Sequence, residues 1–250
     1  MNKKTCVIIN DFTTCAEIAL GIQMPVLRDM GAGVLPVPSK LLSYPLCRED
    51  AVALNTTDFA TQMINNWIAS GEGFDAVLTG FIPDASLAEL AAELCVAQKK
   101  LGARIFIDPV LGDNGHAYKS IKPENLAAMK KLLKEADYCL PNYTEACLLT
   151  DTEYREGGVN AEEISELLST LVEMGASNPI ITGALVDGKT VVALKTNNEV
   201  KLIEYEQVKE NVSGTGDRFA ALFVGFMLKG DSPEQAIRKA EEKVTEFLKG

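Results

Sequence analysis

Ser213-Gly214-Thr215-Gly216-Asp217 stands directly before a long apolar stretch, Phe219-Ala220-Ala221-Leu222-Phe223. Two glycines in that place let the backbone bend until successive N–H groups and the positive end of a following helix converge on one anion, such as a phosphate. A carboxylate beside that anion is unfavourable unless it has work there. The work open to Asp217 is to accept the proton of an attacking hydroxyl. The competing reading is structural, because aspartate in a first helical turn complements the helix dipole and often caps it. Taken alone, the motif leans slightly to the structural side. It fails the dinucleotide-binding fingerprint, since Phe219 stands where the third glycine belongs.

Asp108 and Asp113 flank Pro109 and Gly112 after a strand-like run. Two carboxylates so spaced could hold Mg²⁺ through water near nucleotide phosphates, or equally could bond their own backbone as turn residues. Asn142 and Glu145 have capping-box spacing, which by itself favours an ordinary helix start over a site. Gly183-Ala184-Leu185-Val186-Asp187-Gly188-Lys189-Thr190 matches the P-loop pattern letter for letter. A P-loop, however, needs a helix to begin at its lysine. Here Val191-Val192-Ala193-Leu194 follows, and Asp187-Gly188 is a tight hairpin turn, so the P-loop is rejected. Cys6, Cys95, Cys139 and Cys147 fall in apolar stretches and read as packing residues, whereas Cys15 and Cys47 are less clearly buried. The single histidine, His116, excludes a multi-histidine metal site.

These residues need elements to place them. The apolar patterning predicts strands at Cys6–Ile9, Val34–Val37, Ala76–Leu78, Arg104–Ile107, Tyr138–Leu140 and Pro179–Thr182, then a hairpin. Between and after them it predicts helices near 16–30, 58–69, 85–100, 124–135, 144–149, 161–174, 214–228 and 232–248. Such alternation indicates an α/β fold, a three-layer α/β/α sandwich with a mainly parallel central sheet. No repeat or linker divides the chain, so residues 1–250 are expected to form a single domain. Ligands of such sheets lie beyond the carboxyl ends of the strands, where Asn10-Asp11, Asp108–Asp113, Pro141–Glu145 and Ser213–Asp217 all fall.

The chain has 250 residues, with 24 basic against 35 acidic side chains and a net charge of −11. That balance argues against nucleic acid as a partner, because phosphate-backbone binders cluster Lys and Arg. The longest apolar run, Phe219–Leu228, falls well short of the roughly 20 residues a membrane span needs. No signal-peptide core or C-x-x-C pair is found, and a reducing cytoplasm is the expected location.

The order of these segments resembles the pyridoxal/pyridoxamine kinase branch of the ribokinase-like superfamily, whose members phosphorylate a hydroxymethyl group using MgATP. The resemblance rests on Asn10-Asp11, Asp108-Pro109-Val110-Leu111-Gly112-Asp113-Asn114-Gly115, Pro141-Asn142-Tyr143-Thr144-Glu145-Ala146 and Gly214-Thr215-Gly216-Asp217, followed by Gly230-Asp231. It implies that Asp217 is the catalytic base and that Gly214, Thr215 and Gly216 form the anion hole. It further implies that Asp108, Asp113, Asn142, Glu145 and Thr182 serve ATP and its phosphates. Mg²⁺ would lie near Asp108, Asp113 and Glu145 through water, with a monovalent cation as a further expectation. Asn10, Ser43 and Phe81 are implied on the acceptor side, and Phe81 also reads as a core residue. A homodimer is the implied assembly.

The acceptor side departs from the family pattern. Thr13-Thr14-Cys15-Ala16-Glu17 occupies the place of a glycine-containing segment that usually ends in arginine, and Ser43-Tyr44-Pro45-Leu46 that of a Ser-Asn-His-Thr-like loop. Two alternatives follow. One is a kinase of a hydroxymethylpyrimidine; the other is a non-catalytic relative that binds nucleotide or vitamer.

Overall fold

Runs of Val, Ile and Leu too apolar to leave either face in water fold into the inner strands, and amphipathic stretches cover them. The computed structural model describes residues 3–45, 48, 50–197, 199–206 and 212–249. In chain order the elements begin with β1 (Thr5–Thr13), α1 (Leu20–Asp29), β2 (Gly33–Leu42), β3 (Ala53–Asn55), α2 (Thr57–Ser70), β4 (Ala76–Thr79), α3 (Ala85–Lys100) and β5 (Arg104–Ile107). They continue with β6 (Gly112–Asp113), β7 (His116–Ala117), α4 (Pro123–Leu132), β8 (Tyr138–Cys139), α5 (Tyr143–Thr150) and α6 (Ala161–Glu173). The last are β9 (Asn178–Val186), β10 (Lys189–Thr196), β11 (Glu199–Glu204), α7 (Thr215–Lys229) and α8 (Pro233–Lys249).

The large sheet has nine strands in the order β11-β10-β9-β8-β5-β4-β1-β2-β3. Strands β2, β1, β4, β5, β8 and β9 run parallel, and antiparallel β3 and β10–β11 extend the two ends. Alternation along the inner strands feeds two cores. Val7, Ile9, Val77, Ile105 and Ile107 pack with α2 through α6. Cys6, Ile8, Leu78 and Phe106 pack with α1, α7 and α8. The three-layer, mainly parallel arrangement is the one expected.

The chain leaves β1 for β2 on one side and resumes at β4 on the other, so the topological switch point lies between β1 and β4. Ile9, Thr79 and Ile107 are register partners across β1, β4 and β5. The next residues, Asn10, Gly80 and Asp108, therefore form the first row beyond that pairing, on the face that meets α1 and α7. Two contacts fix α7 above this row. Phe223, fully buried, stands edge-on to Phe106 and Tyr138, with centroids 5.9 and 5.5 Å away. At the other end of the helix, Arg104 Nη2 donates to the Met227 carbonyl at 2.6 Å.

Several boundaries differ from expectation. β1 runs on to Thr13 because β2 pairs with it as far as Leu42, across an irregularity between Asn10 and Phe12. Asn10 and Asp11 thus belong to the strand. α1 begins at Leu20, not near Ala16, because Ala19 adopts φ 50° and breaks the helical path. β9 does not end at Thr182 but continues to Val186, with a register shift opposite Val191 and Ala193. The 124–135 helix gives way to a 3-10 turn at Leu133–Glu135. β3, β6 and β7 are too short to carry an alternation signal. The P-loop match is a hairpin, as expected: Asp187 and Gly188 take φ 48° and 76°, and Lys189 opens β10 and pairs with Glu204 at 2.6 Å. Cys6, Cys95, Cys139 and Cys147 are buried, and Cys15 is exposed. Cys47 and Leu46 lie outside the described residues.

Glu241 on α8 is buried within the α1/α7/α8 core, and desolvation alone raises its pKa from 4.5 to about 7. Between those values the unfolded chain has released this proton and the fold retains it, so stability falls as pH rises from about 4.5 to about 7 and stays low above. Glu241→Gln should remove that slope and make the protein more stable than wild type at pH 8, by on the order of 1–3 kcal/mol. Urea unfolding of both proteins at pH 5 and pH 8 checks this; parallel pH dependences would contradict it.

Candidate active site

Asp217 lies in the first turn of α7 and turns inward, half-buried, toward β1 and α1. Its Oδ2 accepts the Ala19 N–H at 2.9 Å. Its Oδ1 accepts from Asn10 Nδ2 at 3.3 Å and from Gln23 Nε2 at 3.4 Å. Asn10 Oδ1 in turn takes the N–H groups of Asp11 and Phe81 at 2.9 and 2.8 Å, and Asn10 Nδ2 also reaches Gln23 Oε1 at 3.0 Å. Both ends of the Asn10 amide are thus committed to protein partners. The amide has room because the neighbouring row position is Gly80, whose Cβ would fall inside it.

The backbone around Asp217 is arranged for an anion. Gly214 takes φ 85° at the N-cap, a left-handed conformation suited to glycine. A Cβ there would also strike Ile22 Cδ1 and the Glu17 carbonyl, at 2.5 and 2.9 Å. The first intrahelical bond of α7 is Arg218 N–H to Gly214 C=O at 2.9 Å, and no side chain caps the helix among the described residues. The N–H groups of Thr215 and Gly216 therefore precede the helical ladder, at the positive end of its dipole.

Acidic groups crowd this end of the sheet. Burial raises Asp217 from 3.8 to about 6, opposed by its bonds to Ala19 and Asn10 and reinforced by the nearby Asp11 charge. Burial also raises Asp11, whose Oδ2 accepts from Thr13 Oγ1 at 2.9 Å. Asp108 is pushed well above the usual carboxylate range by desolvation and then by the charges of Glu145 and Asp217. Its side chain makes no hydrogen bond among the described residues, although it is only 8% exposed. Glu145 is raised to about 8, mainly by desolvation. Glu145 nevertheless accepts the Leu111 N–H at 3.0 Å on Oε1 and the Asn142 N–H at 2.8 Å on Oε2.

The remaining expected residues divide. Asn142 and Glu145 form a true capping box at the start of α5, and Asn142 Nδ2 holds the Gly112 carbonyl at 2.9 Å. They fasten the Asp108–Gly112 segment to the sheet, beside Asp108. Asp113 is exposed and holds the Asn114 N–H and side-chain amide at 2.8 and 3.0 Å, the turn role weighed for it above. Thr182 bridges to Asn142 and donates its N–H to Pro141 C=O at 2.9 Å, so it borders the same loop. Phe81 is buried yet belongs to neither core cluster, and its carbonyl accepts from Ser39 Oγ at 2.6 Å. Ser43 stands apart: its carbonyl takes Thr14 Oγ1 at 3.2 Å and its hydroxyl takes the Val52 N–H at 2.8 Å.

Gln23, Ala19 and Gly80 were not singled out from the sequence. Gln23 carries a usable signal, for it interrupts the apolar stripe Leu20–Leu27 of α1 and is fully buried. Buried amides with no local reason to be polar mark a partner elsewhere.

Comparison with known proteins places the chain in a family. Residues 50–250 match the family model described as phosphomethylpyrimidine kinase. A pyridoxine/pyridoxal/pyridoxamine kinase of Bordetella bronchiseptica is 28% identical over 247 residues, which cover 93% of this chain and 84% of that protein. A crystal structure from Bacteroides thetaiotaomicron, assigned as a phosphomethylpyrimidine kinase, superposes with a TM-score of 0.90 at 28% identity, over 98% of this chain and 86% of that one. Its orthorhombic form, with pyridoxal, gives 0.88 at 29% identity over 96% and 86%. With four-fifths of its length inside the family model and the ribokinase-like sheet reproduced, the chain belongs to the phosphomethylpyrimidine kinase family and is an ATP-dependent small-molecule kinase.

Proposed function

We propose that the protein transfers the γ-phosphoryl group of ATP to the hydroxymethyl group of a small heterocycle, pyridoxal, pyridoxine or pyridoxamine first among them. The observation that carries this reading is the Asp217 carboxylate, desolvated and aimed by three N–H donors, beside the uncapped N-terminus of α7. The Bordetella relative and the pyridoxal-containing Bacteroides structure support the choice of acceptor. In this reading the acceptor hydroxyl gives its proton to Asp217 as its oxygen bonds to the γ-phosphorus and the bond to the ADP oxygen breaks. Charge that develops on the phosphoryl oxygens meets the Thr215 and Gly216 amides. Asn10 serves the acceptor through Asp217, and Phe81 provides an aromatic wall.

ATP brings several negative charges to a site whose own groups are acidic, and Mg²⁺ would offset them. The donor set fits that ion: Asp108 is a carboxylate without a protein hydrogen bond, and Mg²⁺ takes few protein ligands, usually keeping waters. No cluster of three or more metal-ligating side chains is present among the described residues. Asp108 would hold the ion through water, with Glu145 and Asn142 fixing its loop.

A pyrimidine acceptor is the second reading. It is favoured by the description of the matched family and by Thr13–Glu17, which lacks the family's glycines and arginine. ADP release measured with the three B6 vitamers and with hydroxymethylpyrimidine separates the two. Turnover of none, with ATP still bound, would favour the non-catalytic alternative.

Asp217→Asn should lower kcat by about 10²- to 10⁴-fold while ATP binding is retained. With Asp217 titrating at about 6, wild-type kcat/KM should fall about tenfold per pH unit below that value, a limb absent from the variant. Gly80→Ala pushes on the Asn10 amide and should cost about 1–3 kcal/mol of stability together with at least about a tenfold loss of kcat. Steady-state kinetics and thermal melts check both variants; wild-type turnover in either would contradict the assigned geometry.

A further inference from the structure

The hydrogen bonds behind Asp217 can be read in one direction only. Asn10 Oδ1 lies 2.9 and 2.8 Å from two backbone N–H donors, so that end of the amide must be the oxygen. The other end is then the NH₂ group, which donates to Gln23 Oε1 at 3.0 Å and to Asp217 Oδ1. Gln23 Oε1, being an acceptor, fixes the orientation of the second amide, and Gln23 Nε2 must face Asp217 Oδ1, at 3.4 Å. One backbone amide of β1 and one just beyond β4 thereby determine, through two side chains, what the Asp217 carboxylate meets.

We infer that Gln23 is a positioning residue for phosphoryl transfer: with Asn10 it fills Oδ1 of Asp217, leaving Oδ2, which among the described residues accepts from the Ala19 N–H alone, as the oxygen that takes the acceptor's proton. A carboxylate oxygen offers about two in-plane lone-pair directions. Among the described residues Oδ1 has both met, whereas Oδ2 has one met. Gln23 is fully buried on α1, so its amide is held by packing and is not in competition with bulk water. It touches no reacting atom, and its effect runs wholly through Asp217. The inference rests on Asp217 being the base.

Three variants test it. Gln23→Leu and Gln23→Met remove both polar atoms. Gln23→Glu keeps an oxygen for Asn10 but replaces the NH₂ that faces Asp217. The expected result is a fall in kcat of about 10- to 100-fold in all three. KM for ATP and for the acceptor should stay within about threefold, and ATP should still raise the melting temperature. Near-normal kcat in the Leu and Met variants overturns the inference. So does a Glu variant that restores wild-type kcat, because Gln23 would then serve only to hold Asn10. Loss of the fold in all three assigns Gln23 a structural role and overturns it as well. Wild-type protein is assayed alongside with the vitamers and hydroxymethylpyrimidine. A silent wild type brings down the kinase reading together with the inference, whereas active wild type with unaffected variants brings down the inference alone.

Discussion

Carboxylates crowded together and partly withdrawn from water, with no cation paired to Asp217, Asp108 or Glu145 among the described residues, are the constraint on which this site is built. Asp217, Asp108, Glu145 and Asp11 share the carboxyl end of the sheet, and the charges that act on Asp108 and Asp217 there are those of other carboxylates. Desolvation of that kind is costly, and each acid is reconciled with it differently. Asp217 and Glu145 collect N–H donors. Asp108 collects none among the described residues and is pushed well above the usual carboxylate range. The uncompensated member is also the one best able to gain from an incoming cation.

The sheet makes the crowding possible. Parallel strands end together, and here the pairing Ile9–Thr79–Ile107 brings Asn10, Gly80 and Asp108 into one row at the switch point. The central member has no side chain, so an amide can occupy the space above it. α7 then lowers its first turn onto the row, and Phe223 and Arg104 prevent it from sliding along the sheet. The same helix thus supplies a deep apolar anchor and a polar tip. The one explains the Phe219–Phe223 run, the other the glycines before it.

Much of this could be read in the sequence because the informative segments are covalently continuous. Gly214–Asp217, Asn142–Glu145 and Asp108–Asp113 carry their own local geometry, and apolar alternation orders the strands around them. What escaped was non-local or conformational. Gln23 becomes meaningful only once α1 lies beside β1 and α7. The positive φ of Ala19 has no compositional trace, since alanine ordinarily continues a helix. The end of β9 was misplaced because a bulge at Thr182 and Gly183 looks, residue by residue, like a strand terminus. Ser43 was implied by position along the chain, but position does not reveal that its polar atoms are occupied by Thr14 and Val52.

The Thr13–Ala19 loop can be understood on the same terms. Thr13–Ala19 contains no glycine, yet it meets α7 chiefly through backbone: the Ala19 N–H on Asp217 and the Glu17 carbonyl against Gly214. Backbone contacts constrain the path of a loop while leaving most of its side chains free to change. Alanine at φ 50° and ψ −127° does what a glycine would do, at a cost on the order of 1–3 kcal/mol that the surrounding contacts must offset. A residue held in that conformation is over-determined by its neighbours, and the neighbour that uses its N–H is Asp217. The path of the loop, rather than its side chains, thus presents the N–H that Asp217 accepts.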